Sequence, residues 1–474
     1  MLDVQKHRRR PSLENVKKYI GEFPDLYYDG AKIVCKVCDK PLFGWHKYDC
    51  IKHVNSIQHT NRKSGVPSRE PFMLDLLSMF LQCGLQLRLL DKKPFNDFWN
   101  KYNSNWELPS RTTLRRYLPS LREDNEKNIK GVVKGKQLWL SVDETIDRKK
   151  NSIAHVMVRV LDPFQPNFPI LLASKRIQKC TSEAITKVVL DTLQKFEVSP
   201  SQLLMFMSNG TAIMRCVGHS LKQECEQLLH VMCKAHTLHL VAQMIRKCYP
   251  EVDALISNTK KMFLKSPKRI RELHRWCPGI PEPPELSFTR WGSWLKAAFY
   301  YSKFFEQIKF VVLQFNPDED TAIKESQIRF QDTSVETDLI TIYDNYAGLF
   351  DAIEKFQNTG LSFVESVQIV NDVHTLLCAT SEVKNMCIVE KFEEVINKDS
   401  DFTRLIQIND SASDPLSMYK DYFNYACLTS IDVKRSLSKY KKIFSSRRTQ
   451  FNEANLETYL MLQTFQQSYS ICAT

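Results

Sequence analysis

Four residues constrain the N-terminal part of this chain more than any others: Cys35, Cys38, His53 and His59, spaced Cys-x2-Cys-x14-His-x5-His. They fall within residues 25–65, a stretch too short to hold itself folded by an apolar core alone. Two strand candidates, near Leu26-Tyr27-Tyr28 and Lys32-Ile33-Val34, lead into the cysteine pair. A polar helix over about Asp49–Lys63 carries the histidines. Two thiolates and two imidazoles complete the tetrahedron of a structural zinc site, and metal binding then supplies the folding free energy. His46 and Cys50 are spare ligand candidates.

The same helix offers Lys52, Asn55, Gln58, Arg62 and Lys63. Asn and Gln match adenine edges in the major groove, while Arg and Lys match guanine or phosphate. Double-stranded DNA is therefore the expected partner. One finger buries little surface, so a dimer or a second DNA-contacting element is expected beside it.

Composition bounds the rest. Gly and Pro together number 33 of 474 residues (13 and 20), against about 12% in ordinary chains, which disfavours a turn-rich sandwich and favours helix. Lys plus Arg exceed Asp plus Glu by 66 to 54, a surplus that permits a polyanionic partner. Fourteen cysteines in a chain of this length suit reduced, buried thiols in cytosol or nucleus better than a disulfide scaffold. The opening Met1–Arg10 is charged where a secretory signal would be apolar. Pro71–Leu90 carries Asp75, Gln82, Gln86 and Arg88, so it reads as a buried helix and no membrane association is expected.

Six segments follow: a basic flexible arm (1–24) with the patch His7-Arg8-Arg9-Arg10; the finger (25–65); a helical intermediate region (66–130) with Ser110 as an N-cap; a first part of a core (131–299); a helical insertion (300–423); and a second part of the core (424–474). Strand runs stand at Leu138–Val142, Ile153–Val160, Ile170–Ala173 and Leu203–Met207, with a helix over about Thr181–Phe196. Beyond about Lys222 the pattern is helical, and the acidic stretch 314–337 is expected to be a mobile loop. The expected class is helix-rich α+β: an N-terminal ββα finger, then a mixed sheet interrupted by an all-α insertion.

Residues 30–63 resemble a BED-type zinc finger, of the kind found in CGG-triplet-repeat-binding proteins. Several motifs follow in family order: Leu140-Ser141-Val142-Asp143-Glu144-Thr145, Met207–Met214, Cys233-x2-His236, Thr289-Arg290-Trp291-x-Ser293-Trp294 and Ile431–Ser438. With these the chain resembles hAT-superfamily transposases over nearly its whole length. The resemblance implies an RNase H-like core in which three carboxylates hold two metal ions for phosphoryl transfer.

It assigns the three positions to Asp143, Asn209 and Lys434. An amide brings no charge, and an ammonium about 4 Å away repels a divalent cation by on the order of several kcal/mol even at an effective dielectric of about 20. Mg²⁺ is thus not expected. Asp432, two residues from Lys434, would point to another helix face. Cys233 and His236 read as core. Trp291 either stacks on DNA, as in active family members, or packs. The run 435–460 resembles the family's dimerisation segment. The resemblance implies a domesticated, catalytically defective transposase: a nuclear, dimeric, zinc-dependent DNA-binding protein in transcription or chromatin regulation, without a small-molecule substrate. The runner-up is a transposase or nuclease that still uses Asp143 and a divalent metal. A protein-binding zinc module without a DNA role is the third reading.

Overall fold

The computed structural model describes residues 11–42, 44–56, 59–60, 63–64, 69–103, 106–162, 168–264, 266–284, 292–358, 361–380, 383–411, 413–444 and 453–472. The chain divides into two compact units, Met1–Asp124 and Asn125–Thr474. The class is helix-rich α+β, with a small antiparallel sheet near the N-terminus and a mixed five-stranded sheet in the second unit. Among the described residues no helix is long and apolar enough to cross a membrane.

The first unit opens with α1 (Leu13–Ile20), capped by Ser12, whose side chain accepts from Asn15 N. Over Leu13–Ile20 this corrects the expected loose arm, because Val16 and Ile20 fall on one helix face and are buried with Leu26 and Ile33; residues 1–10, with the basic patch His7–Arg10, lie outside the described residues. Strands β1 (Leu26–Tyr28), β2 (Ile33–Cys35) and β3 (Lys40–Pro41) pair antiparallel in that order. The third strand is an addition to the expected ββα pattern; it closes the knuckle by pairing Pro41 with Val34. Helix α2 (Lys47–Val54) ends at Asn55, earlier than the continuous helix to Lys63 that the sequence suggests. Ser56 restarts helical structure by accepting from His59 N at 3.3 Å, an N-cap bond that interrupts the run. Further on come α3 (Arg69–Gln82), α4 (Lys93–Tyr102), α5 (Arg111–Arg115) and α6 (Leu118–Val133). Met73, Leu76, Leu77, Phe80 and Leu81 form the buried stripe of α3. Ser110 caps α5 as expected.

In the second unit the sheet contains β4 (Leu138–Ile146), β5 (Ser152–Val160), β6 (Ile170–Ile177), β7 (Leu203–Ser208) and β8 (Leu229–Met232), in the order β6-β5-β4-β7-β8. The β4–β5 and β5–β6 pairs are antiparallel; the β4–β7 and β7–β8 pairs are parallel. Helix α7 (Ser182–Lys195), capped by Thr181, precedes β7, and α8 (Ala212–Glu224) follows it. Strand β8 was not anticipated: it is four residues long and holds His230 at a half-buried position. Its outer edge is covered by side chains rather than by another strand. Asp401 accepts from His230 N at 2.6 Å and Asp399 from Met232 N at 2.9 Å, satisfying alternate edge amides.

Helices α9 (Lys234–Cys248), α10 (Pro250–Leu264), α11 (Pro267–Trp276), α12 (Ser293–Lys303), α13 (Phe305–Leu313), α14 (Thr321–Gln331), α15 (Thr333–Gln357), α16 (Phe363–Ala379), α17 (Asn385–Asn397), α18 (Ser400–Asp410) and α19 (Lys420–Phe423) follow. Helix α14 replaces the expected mobile loop. The acids Asp320 and Asp332 serve as N-caps of α14 and α15, while Ala322, Ile323, Ser326 and Phe330 face the core.

The chain then returns to the sheet through α20 (Ile431–Ile443) and α21 (Glu453–Cys472). Helix α20 packs on β4 and β5, and α21 on β6. Three residues spaced four apart fix the register of α20: Asp432 bonds Arg159, Ser436 bonds His155, and Tyr440 bonds Asp147. The C-terminal anchors Leu437, Tyr440, Ile443, Phe444, Leu456, Tyr459 and Leu460 are all buried within the chain's own core. Phe451, Arg447 and Arg448 lie outside the described residues.

Candidate functional site

The N-terminal unit brings the four sequence-distant candidates together. Cys35, Cys38, His53 and His59 each offer one ligand atom, all within 4.8 Å of one another. Cys35 ends β2, Cys38 stands in the turn after it, His53 sits in the last turn of α2, and His59 lies in the turn that Ser56 initiates. His59 Nδ1 is 3.3 Å from Cys35 Sγ and 3.6 Å from Cys38 Sγ. Tetrahedral zinc with sulfur and nitrogen ligands implies ligand-to-ligand edges of about 3.3–3.8 Å. His53 Nε2 is buried with no hydrogen-bond partner among the described residues. Burial, and then His59, holds its pKa below the usual histidine value, so the ring is neutral and has a lone pair to donate. Two buried thiols, an unsatisfied imidazole nitrogen and matching spacing fit a metal ion such as zinc. His46 and Cys50 stand outside the cluster. His46 caps α2, and Cys50 is buried in the finger core with its thiol pushed up to about 11, by burial first.

A second layer supports the cluster. Asp25 Oδ2 lies 3.1 Å from His59 Nε2. A carboxylate only accepts, so Nε2 carries the proton and Nδ1 faces the sulfurs as the donor atom. Lys63 Nζ bonds the same oxygen at 2.6 Å, and this bond, ahead of the one to His59, holds the Asp25 carboxyl below its usual range. Asp25 carried no sequence signal; it precedes β1 as an ordinary strand-flanking acid.

Of the expected base and phosphate contacts, Lys52 and Asn55 are exposed on α2. Lys63 is turned onto Asp25 instead. Gln58 and Arg62 lie outside the described residues. The exposed stripe of α2 also contains Tyr48 and Ile51, so the surface reads Tyr48, Ile51, Lys52, Asn55 at helical spacing. Tyr48 and Ile51 add two apolar members to the face expected to be polar.

The body assembles the other three positions. Asp143, near the end of β4, is 5% exposed. Asn209, just past the end of β7, donates from Nδ2 to Asp143 Oδ1 at 3.3 Å. Lys434, on α20, places Nζ 3.5 Å from Asp143 Oδ2. Each carboxylate oxygen is thus engaged by protein: an amide on one side and an ammonium on the other. Gly210 takes φ +69°, and a Cβ there would meet Met232 Sδ at 2.4 Å, so the turn that aims Asn209 requires glycine.

Burial pushes the Asp143 carboxyl above the usual range, with Lys434 and Lys441 pulling the other way. Glu144 is pushed up to about 6, by burial and then by Asp143. His236 and His239 are each lowered to about 4, by burial first and then by the Lys434 charge. Among the described residues the finger holds the only group of three or more His, Cys, Asp or Glu side chains with metal-binding spacing.

Asp432 does not reach this site. It is 5% exposed and pairs with Arg159, whose Nη2 lies 2.5 Å and Nε 3.1 Å from Oδ2. Cys233 caps α9 and accepts from Ser430 N at 3.3 Å, joining α9 to the start of α20 as core. Trp291 lies outside the described residues. No protein-family model matches the chain, and no curated protein matches it.

Proposed function

We propose that this chain is a zinc-dependent DNA-binding protein derived from an hAT-like transposase, with a BED-type finger and an RNase H-like body that no longer performs two-metal strand transfer. The observation that carries the reading is the convergence of Asp143, Asn209 and Lys434. Three positions assigned from separate motifs meet at one carboxylate. The strand order, antiparallel on one side of β4 and parallel on the other, supports the RNase H-like assignment.

The chemistry follows from the residues. In-line phosphoryl displacement by two metals needs anions that bridge them. Here a neutral amide and a cation occupy two of the three positions. The Lys434 charge satisfies Asp143 internally and disfavours a divalent ion there. The body then acts as a scaffold.

The finger performs binding. Cys35, Cys38, His53 and His59 would hold zinc, which fixes α2 relative to the strands. The exposed stripe of α2 would enter the major groove, with Asn55 toward adenine, Lys52 toward guanine or phosphate, and Ile51 or Tyr48 against a thymine methyl. Nuclear location, a dimeric state and a role in transcription or chromatin belong to the same proposal and follow from the resemblance.

Selection of bound sequences from a random duplex pool, with and without a chelator, tests this reading. An enriched motif that disappears on chelation supports it. Equal recovery of all sequences in both arms overturns the finger's role.

A further inference from the structure

The second unit carries a cationic stripe that the finger and the Asp143 site do not use. Between Lys260 and Trp276 the sequence has seven Lys or Arg residues and one acid, Glu272, a net of +6 within a chain whose whole surplus is +12. The stretch comprises the end of α10 and all of α11. On α11, Leu273 is fully buried and Ile270 is half-buried, which anchors one face of the helix in the body. The opposite face presents Lys268, Arg271 and Arg275 to solvent, at spacings of three and four residues. Exposed Lys261 stands one turn before the end of α10.

The acids nearby are already committed. Arg269 pairs with Asp320 at 3.2 Å and Glu319 at 3.8 Å; His274 faces Glu282 at 3.4 Å; Arg275 meets Glu272 at 3.6 Å. Lys261, Lys268 and Arg271 have no ion pair among the described residues. Lys268 and Arg271, like charges three residues apart, repel one another, so this pair does not serve the helix itself. Trp276 ends the stripe, 45% exposed, with the Arg275 guanidinium 5.5 Å from its ring and Phe310 edge-on at 5.9 Å.

We propose that this face of α11 is a second DNA-binding surface, which engages the phosphate backbone of duplex DNA without reading sequence. From Lys268 to Arg275 the helix rises about 10 Å, the axial span of about three phosphates on one strand. A bilayer is a poorer match, since the apolar side of α11 is packed inside the body and its exposed face is mostly cationic, with Trp276 and the neighbouring Phe310 as the large apolar side chains beside it. A sequence-indifferent clamp of this kind supplies the affinity that a single finger lacks.

The test uses the full chain, with binding to a mixed-sequence duplex followed across a salt series. The Cys35→Ser variant removes the finger's contribution, so failure of the finger reading and failure of this one are separable. Cys35→Ser is expected to keep salt-dependent, sequence-indifferent binding. Adding Lys268→Glu, Arg271→Glu and Arg275→Glu is expected to lower the slope of log affinity against log salt by about 2 to 3 and to weaken binding at least tenfold. The matching Gln triple, which removes charge without reversing it, is expected to act in the same direction and guards against misfolding of the Glu variant. The proposal is overturned if Cys35→Ser shows no duplex binding, if both triples bind as their parent does, or if the stripe governs binding to phosphatidylserine vesicles and not to DNA.

Discussion

Lys434 Nζ lies 3.5 Å from Asp143 Oδ2, joining α20 to β4. The pair is largely buried, with Asp143 at 7% and Lys434 at 30% side-chain exposure. Removing the cation leaves a carboxylate that burial already disfavours. Lys434→Met is therefore expected to destabilise the body at pH 7 by about 2 kcal/mol, a value reduced for the partial exposure of Lys434. Adding Asp143→Asn should recover most of that loss. Chemical denaturation of the two single variants and the double variant measures the coupling, and simple additivity would contradict the pairing.

The same pair sets a pH dependence. The Asp143 pKa is raised in the folded chain, so the folded state holds this proton more tightly than the unfolded one. Its contribution is greatest below the unfolded value of about 3.9 and is lost as pH rises through the folded value. The penalty for Lys434→Met should accordingly shrink on acidification, a trend visible in denaturation midpoints compared at neutral and mildly acidic pH.

His155 acts in the opposite direction. It is fully buried between Ser436 and Ser174, at 2.9 and 3.0 Å, and its pKa is pushed down to about 3 by burial. The unfolded chain gains a proton near pH 6.5 that the folded chain refuses. Stability should fall by up to about 1.4 kcal/mol per pH unit below that value on account of this residue. His155→Asn should be less stable at pH 7 yet lose less between pH 7 and pH 5. A loss equal to that of the parent chain would rule out the neutral buried imidazole.

Asp25 bonds His59 from outside the Cys35, Cys38, His53 and His59 group, which would orient that ring toward a metal ion. Asp25→Asn is expected to weaken metal affinity by about 10- to 100-fold. Cobalt absorption read against a competing chelator measures this, and Asp25→Glu should recover part of the affinity. Unchanged cobalt affinity in Asp25→Asn would remove its positioning role.

The legible parts of this molecule are those where residue type and local spacing agree. The four Cys and His candidates, the apolar runs of β4 to β7 and the cap Ser110 need no distant partner to be recognised. Asn209 and Lys434 stand far apart in sequence, and that both reach Asp143 is visible only in the fold. The losses have one physical origin. Strand β8 is short and its edge amides are satisfied by Asp399 and Asp401 from far along the chain, so local sequence carries little sign of it. The acids of 314–337 resemble a loop until Asp320 and Asp332 are seen as helix caps. Helix α1 hides within a basic run whose apolar members meet the finger core only in three dimensions. Asp25 acts through His59, a contact that spacing alone does not reveal.

The most direct measurement of the central claim is divalent-metal-dependent cleavage of duplex DNA by the full chain and by Asp143→Ala. No cleavage above background is expected with Mg²⁺ or Mn²⁺ in either protein, and Mn²⁺ binding by the body is expected only when Asn209→Asp and Lys434→Glu are introduced together. Cleavage by the unaltered chain that Asp143→Ala abolishes would contradict it.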